Sequence, residues 1–157
     1  ILDIVERFSS RDIAVRFIEY MDVGTTNGWS LDDVVSASEI RDMIGDAERI
    51  VPENKSDVAK RYKLPNGGEV GIISSVTEPF CSDCTRARIS SDGRLFTCLF
   101  SNSGLDLLSP IRAGHTDSYI ADLIREHWSK RKDRYSEERS LNSSKTSERV
   151  EMSYIGG

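Results

Sequence analysis

Apolar and polar positions alternate along this chain in two different rhythms. Residues 1–8 have the spacing of the end of an amphipathic helix. Ile13–Met21 is β-branched and aromatic and reads as a strand, with Arg16 set inside it. Residues 22–30, with two glycines and two threonines, form a loop. Ser36 followed by Glu39 is a capping box, which predicts a short helix over 37–45. After a polar connection at 52–56 the rhythm changes to period two. Val58–Leu64 and Glu69–Val76 are strands on either side of the turn Pro65-Asn66-Gly67-Gly68. Arg86–Ser90 and Arg94–Phe100 are two more, around Asp92-Gly93. Residues 58–100 are therefore expected to form one antiparallel meander of four strands. His115 and Thr116 introduce a helix over Asp117–Asp133, with Ile120, Leu123, Ile124 and Trp128 on one face. Residues 134–151 are almost all polar or charged and are expected to be mobile, ahead of a less polar tip at 152–157. No internal repeat is present.

Length and composition narrow the class. With 157 residues, the chain suits one compact domain or one and a fraction. The 38% apolar content is enough for a core, and no apolar run is long enough for a membrane helix. The balance of 21 basic against 26 acidic side chains, net −5, argues against a general nucleic-acid binder. The first residues carry neither an initiator Met nor a signal-peptide pattern and read as mid-helix, so the chain is expected to be a piece of something larger.

The chemistry concentrates at the cysteines. Cys81, Cys84 and Cys98 fall within eighteen residues, and three is a poor number for a disulfide framework. They read as intracellular thiols kept for metal or redox work, although Cys98 alone could be a small core hydrophobe. Soft thiolates select zinc, copper(I) or iron–sulfur. A structural zinc would need a fourth ligand, His115, His127 or a residue from elsewhere. A cubane cluster held by three cysteines keeps one iron open to a substrate nitrogen or oxygen. Three thiols by themselves leave both possibilities standing.

The neighbouring arginines favour the cluster. Arg86 and Arg88 are alternate strand residues and share a face, where two guanidiniums would clamp an anion such as phosphate. Alone they would read as a solvated strand face. Hairpin register decides whether Cys98 joins them. A two-residue Asp92-Gly93 loop pairs Ala87 with Cys98 and turns the arginines away. A three-residue Ser91-Asp92-Gly93 loop with Gly93 left-handed pairs Arg86 with Cys98. The three-residue loop is expected, because it builds one site rather than two.

Cys81-x-x-Cys84-Thr85-Arg86-x-Arg88, with thirteen residues between Cys84 and Cys98 and then Leu99-Phe100, resembles the C-terminal cluster region of the GTP 3′,8-cyclases. These are the molybdenum cofactor biosynthesis protein A family of radical S-adenosylmethionine enzymes. The segment from Arg16 to Gly24, Asn27-Gly28-Trp29, Asp133-Arg134-Tyr135, Ser136-x-Glu138-Arg139 and the terminal Gly156-Gly157 fit the same family, so the likeness runs end to end.

The resemblance implies an α/β fold: the end of an incomplete TIM-type (βα) barrel, then a C-terminal antiparallel β meander with flanking helices. Residues 1–50 would be the last part of the barrel, 51–133 the iron–sulfur and GTP-binding region, and 134–157 a polar mobile tail ending in Gly-Gly. It implies two 4Fe-4S clusters in the complete enzyme. The one in the missing N-terminal half cleaves S-adenosylmethionine to a deoxyadenosyl radical, which abstracts the ribose 3′ hydrogen of GTP, so that the 3′ carbon attacks C8. The other, on Cys81, Cys84 and Cys98, binds guanine through its open iron. Arg86, Ala87, Arg88 and Arg16 would contact GTP, Met21 S-adenosylmethionine, and Gly156 and Gly157 would reach into the active site.

The radical-generating Cys-x-x-x-Cys-x-x-Cys motif is absent from these residues, so the piece alone is expected to be inactive. The complete enzyme would be a cytoplasmic homodimer, acting before cyclic pyranopterin monophosphate synthase, with neither nucleic acid nor membrane as partner.

Phe80, Phe96, Leu99 and Phe100 would shield the cluster, a task compatible with plain sheet core. His115 and His127 are given no site role, and Trp29 and Trp128 are read as packing residues. Two rivals remain. One is a non-catalytic zinc module, Cys3His with His115, serving protein interaction. The other is a different radical enzyme with an auxiliary cluster.

Overall fold

The structure is a computed structural model, and it describes residues 1–9, 13–24, 26–139 and 150–155. The chain is a mixed α/β protein with two sheets, one mixed and one antiparallel. It divides into two compact units, residues 1–21 with 29–84, and residues 22–28 with 85 onward.

In the first unit, helix α1 (Leu2–Ser9) leads to strand β1 (Val15–Ile18), and helix α2 (Ala37–Ile44) to strands β2 (Glu48–Arg49), β3 (Lys60–Lys63) and β4 (Glu69–Ile73). The sheet order is β1-β4-β3-β2, with β1 parallel to β4 and the other pairs antiparallel. Helix α2 begins where the sequence places it, since Ser36 and Glu39 exchange both capping-box bonds. Register sorts the sheet's two faces. Val15, Tyr62, Val70 and Ile72 point with Leu64 into a core closed by Val5 of α1 and by Ala37 and Ile40 of α2. Arg16, Arg61 and Gly71 point the other way. Only one face of this sheet is thus covered by α1 and α2.

The second unit holds strands β5 (Arg88–Ile89), β6 (Arg94–Phe96) and β7 (Leu105–Asp106), antiparallel in that order, with helices α3 (Leu108–Arg112) and α4 (Asp117–Ser129). Its buried apolar residues include Leu95, Phe96, Leu107 and Ile155.

Several expectations change. Residues 58–100 do not make one meander. The β3–β4 hairpin joins the mixed sheet because β4 finds a parallel partner in β1, and the β5–β6 hairpin finds its third strand in β7. The long helix ends at Ser129, not Asp133, where Asp133 turns to accept the Thr97 hydroxyl (2.6 Å). Within the polar tail expected over 134–157, Tyr135 stacks on Phe100 with centroids 4.2 Å apart and Ile155 is fully buried, while residues 140–149 lie outside the described residues. No helix among the described residues is long and apolar enough to cross a membrane.

Candidate metal and nucleotide site

Cys81 and Cys84 stand at the two ends of a single 3₁₀ turn, closed by the Cys84 N–H donating to the Cys81 carbonyl at 3.2 Å. Three residues per turn bring side chains at i and i+3 to the same side, so Cys-x-x-Cys here is a device for presenting two sulfurs together. Both cysteines are half-buried, and neither is in a disulfide. The segment leading to them is held from below. Glu19, only 2% exposed, accepts the N–H groups of Val76 (2.7 Å), Thr77 (2.8 Å) and Ala37 (2.8 Å), and the Thr77 hydroxyl (2.5 Å). Just beyond, Glu78 pairs with Arg41 at 3.2 Å and with Lys60.

The third cysteine lies in the other unit, on the turn leaving β6. The β5–β6 hairpin pairs Arg88 with Phe96 and Ile89 with Leu95, and closes with Ser90 against Arg94. Its loop is therefore the three residues Ser91, Asp92 and Gly93, with Gly93 at φ 77°. The ladder ends at Arg88 and Phe96, and Arg86 and Cys98 lie two residues beyond it on the two arms. Cys98 sits between two anchored neighbours. Thr97 donates to Asp133, and Phe100 stacks on Tyr135. The Phe100 N–H points at the Cys98 sulfur at 3.5 Å, a contact that favours a thiolate.

Asp22 anchors the same corner from the 22–28 loop. It accepts from the Tyr135 hydroxyl (2.5 Å) and the Arg139 guanidinium (3.0 Å). Burial alone would raise its pKa, but Tyr135 and Arg139 outweigh it and hold the carboxyl below its ordinary 3.8.

Arg16 projects from β1 on the face away from the helices. Its stem crosses Gly71, where a Cβ would stand 3.3 Å from the Arg16 Cγ and would push the stem aside by a few tenths of an ångström. Arg16 borders an open cavity of about 350 Å³, with Ser56, Asp57, Ala59 and Arg61. Arg61 is committed to Glu69 through a two-bond fork, both bonds 2.8 Å. Among the described residues Arg16 has no such carboxylate. Met21 is half-buried just past β1, Arg86 and Ala87 are exposed, and Arg88 is half-buried. Gly156 and Gly157 lie outside the described residues.

Within each unit, no three His, Cys, Asp or Glu side chains among the described residues gather around one point. His115 is exposed and stacked on Tyr119 at 4.2 Å, so nothing favours it as a fourth zinc ligand. What fits a 4Fe-4S cluster is the donor chemistry: two sulfurs on one turn, and a third that already receives an N–H.

A profile of the Molybdenum Cofactor Synthesis C family matches residues 13–137, most of the chain. The chain belongs to that family. Among curated proteins, the GTP 3′,8-cyclase of Staphylococcus haemolyticus (strain JCSC1435) is 44% identical over 164 residues, covering all of this chain and 48% of the relative. That of Synechococcus sp. (strain CC9902) is 41% identical over 150 residues, covering 94% and 44%. That of Xanthomonas campestris pv. campestris (strain B100) is 44% identical over 161 residues, covering 100% and 47%. This Molybdenum Cofactor Synthesis C chain thus spans about half the length of the curated relatives it matches. Its sequence marks the cysteines and arginines plainly. Glu19 and Asp22 carry no such mark, because a buried carboxylate is recognised only once the backbone donors around it are in place.

Proposed function

We propose that this chain is the C-terminal part of a GTP 3′,8-cyclase, the radical S-adenosylmethionine enzyme that opens molybdenum cofactor biosynthesis, and that it carries the substrate side of the site. The observation that bears most weight is the hairpin register. A three-residue loop turns the arginine strand so that Arg88 faces Phe96, and the same register carried two residues past the ladder would bring Arg86 to the level of Cys98. Thiolate and guanidinium then belong to one surface of one hairpin, which suits a ligand that offers both a metal-binding base and phosphates.

In this reading Cys81, Cys84 and Cys98 hold one 4Fe-4S cluster. When bound, the cluster supplies a Lewis-acidic iron position for the guanine. The chain's own work is binding and orientation. Arg86 and Arg88, with the Ala87 backbone, take the anionic part of GTP, and each charge-assisted contact is worth roughly 1.5–3 kcal/mol. Arg16 offers a further guanidinium, in no ion pair with a carboxylate among the described residues, at the edge of a cavity. Phe80, Phe96, Leu99 and Phe100 keep water from the sulfurs.

The parallel β1–β4 pair, clad by helices on one face, suits the last wall of an incomplete barrel. Met21, just past the end of β1, would meet S-adenosylmethionine there. Gly156 and Gly157 would enter the active site. The complete enzyme would add the N-terminal half with its own cluster, pair as a homodimer, and hand its product to cyclic pyranopterin monophosphate synthase. Reduced thiols suit the cytoplasm.

The test is anaerobic reconstitution of this chain with iron and sulfide, followed by titration with GTP. A brown protein whose cluster spectrum changes on adding GTP, and a Cys98→Ala variant that fails to hold iron, are expected. Colourless stoichiometric zinc, or a cluster indifferent to nucleotide, would refute the reading.

A further inference from the structure

Residues 151–155 form a tight turn, with the Tyr154 N–H on the Glu151 carbonyl (3.0 Å) and the Ile155 N–H on the Met152 carbonyl (3.2 Å). Ile155, the residue directly before the Gly156-Gly157 pair, has no exposed surface. Tyr154 packs edge-on against Phe96, with centroids 6.2 Å apart and planes at 84°, and its hydroxyl donates to Asp92 at 2.7 Å. Asp92 belongs to the three-residue loop that sets the hairpin register, where it also accepts from the Ser90 hydroxyl (2.5 Å). At the other end of the turn, Glu151 lies over Gly24, where a Cβ would collide with its carboxylate, and it accepts from the Thr26 hydroxyl at 3.5 Å. One turn of chain therefore bridges the 22–28 loop and the tip of the arginine–cysteine hairpin.

We propose that residues 151–155 are an anchor, with Ile155 as the buried plug and Tyr154–Asp92 as the latch, and that these are positioning residues that fix the chain immediately before Gly156 and Gly157. The role in positioning rests on the function proposed above; the anchorage itself does not. Two glycines alone have too much conformational freedom to keep a fixed place. A plug directly before them fixes the point from which they start, and the latch ties that point to the strand pair that carries Arg88.

Amide hydrogen exchange on this chain tests the anchorage without any turnover. The amides of Tyr154 and Ile155 are expected to be protected. Tyr154→Phe, which removes only the hydroxyl, should speed their exchange roughly threefold to tenfold. Ile155→Ala should speed it by more than about thirtyfold. Exchange at free-peptide rates in the unmodified chain, or rates untouched by both variants, overturns the anchor.

Turnover in the full-length enzyme tests the positioning. Both variants should lower kcat with little change in KM for GTP, and Tyr154→Phe less than Ile155→Ala. Accelerated exchange with unchanged kcat overturns the positioning role and leaves the anchor standing. A full-length enzyme that does not convert GTP at all overturns the functional reading, while the exchange result still decides the anchor.

Discussion

Replacing Glu19 by Gln changes a single atom's chemistry inside the first unit, and the surrounding geometry dictates the response. One carboxylate oxygen accepts the Ala37 N–H and the Thr77 hydroxyl; the other accepts the N–H groups of Val76 and Thr77. A glutamine must put its NH₂ at one of these places. At the second it would confront two backbone donors that cannot turn. At the first it meets one such donor and a hydroxyl able to rotate and accept, so the amide settles there. The Ala37 N–H, at a residue 1% exposed, then loses its partner, at about 1–3 kcal/mol. The two surviving backbone bonds fall from charge-assisted to neutral, which costs about 1 kcal/mol more. Glu19→Gln should therefore destabilise the fold by about 2–4 kcal/mol, a large share of a typical 5–15. Urea unfolding followed by circular dichroism measures it, with an unchanged m value showing that the native state is intact. Adding Thr77→Val removes the rescuing acceptor, so the double variant should fall below the sum of the singles. A Gln variant within about 0.5 kcal/mol of the parent, a level expected of an ordinary surface change, would show that the carboxylate is not the hub described.

The second unit yields two further outcomes. Gly93→Ala forces a left-handed residue to carry a Cβ, which would also stand 2.8 Å from the Leu108 Cβ; a loss of about 2 kcal/mol is expected in urea unfolding. Gly93→Asn should recover only the backbone part, and wild-type stability in both variants would speak against the three-residue loop. Asp22→Asn should alter the acid limb of stability. The folded-state pKa is lowered, so the stabilisation is complete above the unfolded value of 3.8 and drains away as pH falls through the folded one. Thermal melts between about pH 4 and 2 should therefore be flatter for the Asp22→Asn variant than for the parent, and equal slopes would contradict the role given to Tyr135 and Arg139.

Local signals were readable wherever the chain satisfies its own backbone. The Ser36–Glu39 box starts α2 because both of its bonds are made between neighbours. The Pro65–Gly68 turn closes its hairpin for the same reason, with the Gly68 N–H on the Asn66 side chain. Strand partnership was not readable, because it depends on distant segments. Nothing near β4 announces that Val70 and Ile72 pair with Val15 and Phe17, fifty-five residues earlier by the register. At the C-terminal end a partnership was hidden for a related reason. The stretch from 134 to 151 is charged, yet Arg139 and Tyr135 are held by Asp22, a partner more than a hundred positions away. Thiol spacing and arginine alternation were legible because they are short-range, and the three-residue loop expected between Ser90 and Arg94 is the one the β5–β6 ladder shows.

The three cysteine segments share one physical problem. Cys81, Cys84 and Cys98 all sit outside regular strands, on turns whose backbone groups find few partners in a ladder. Near Cys81 and near Cys98, a residue one to five positions away is held instead by a carboxylate from a distant part of the chain. Glu19 takes the N–H groups of Val76 and Thr77 ahead of Cys81, and Asp133 takes the hydroxyl of Thr97 beside Cys98. Asp22, through Tyr135, braces Phe100, whose N–H faces the Cys98 sulfur. A carboxylate held away from water needs its charge balanced nearby. Here Asp22 is matched by Arg139 and Asp133 by Arg131 at 3.3 Å, while Glu19 spreads its charge over three backbone N–H groups and a hydroxyl. The arrangement spends acidic residues on holding these turns while keeping their charge local.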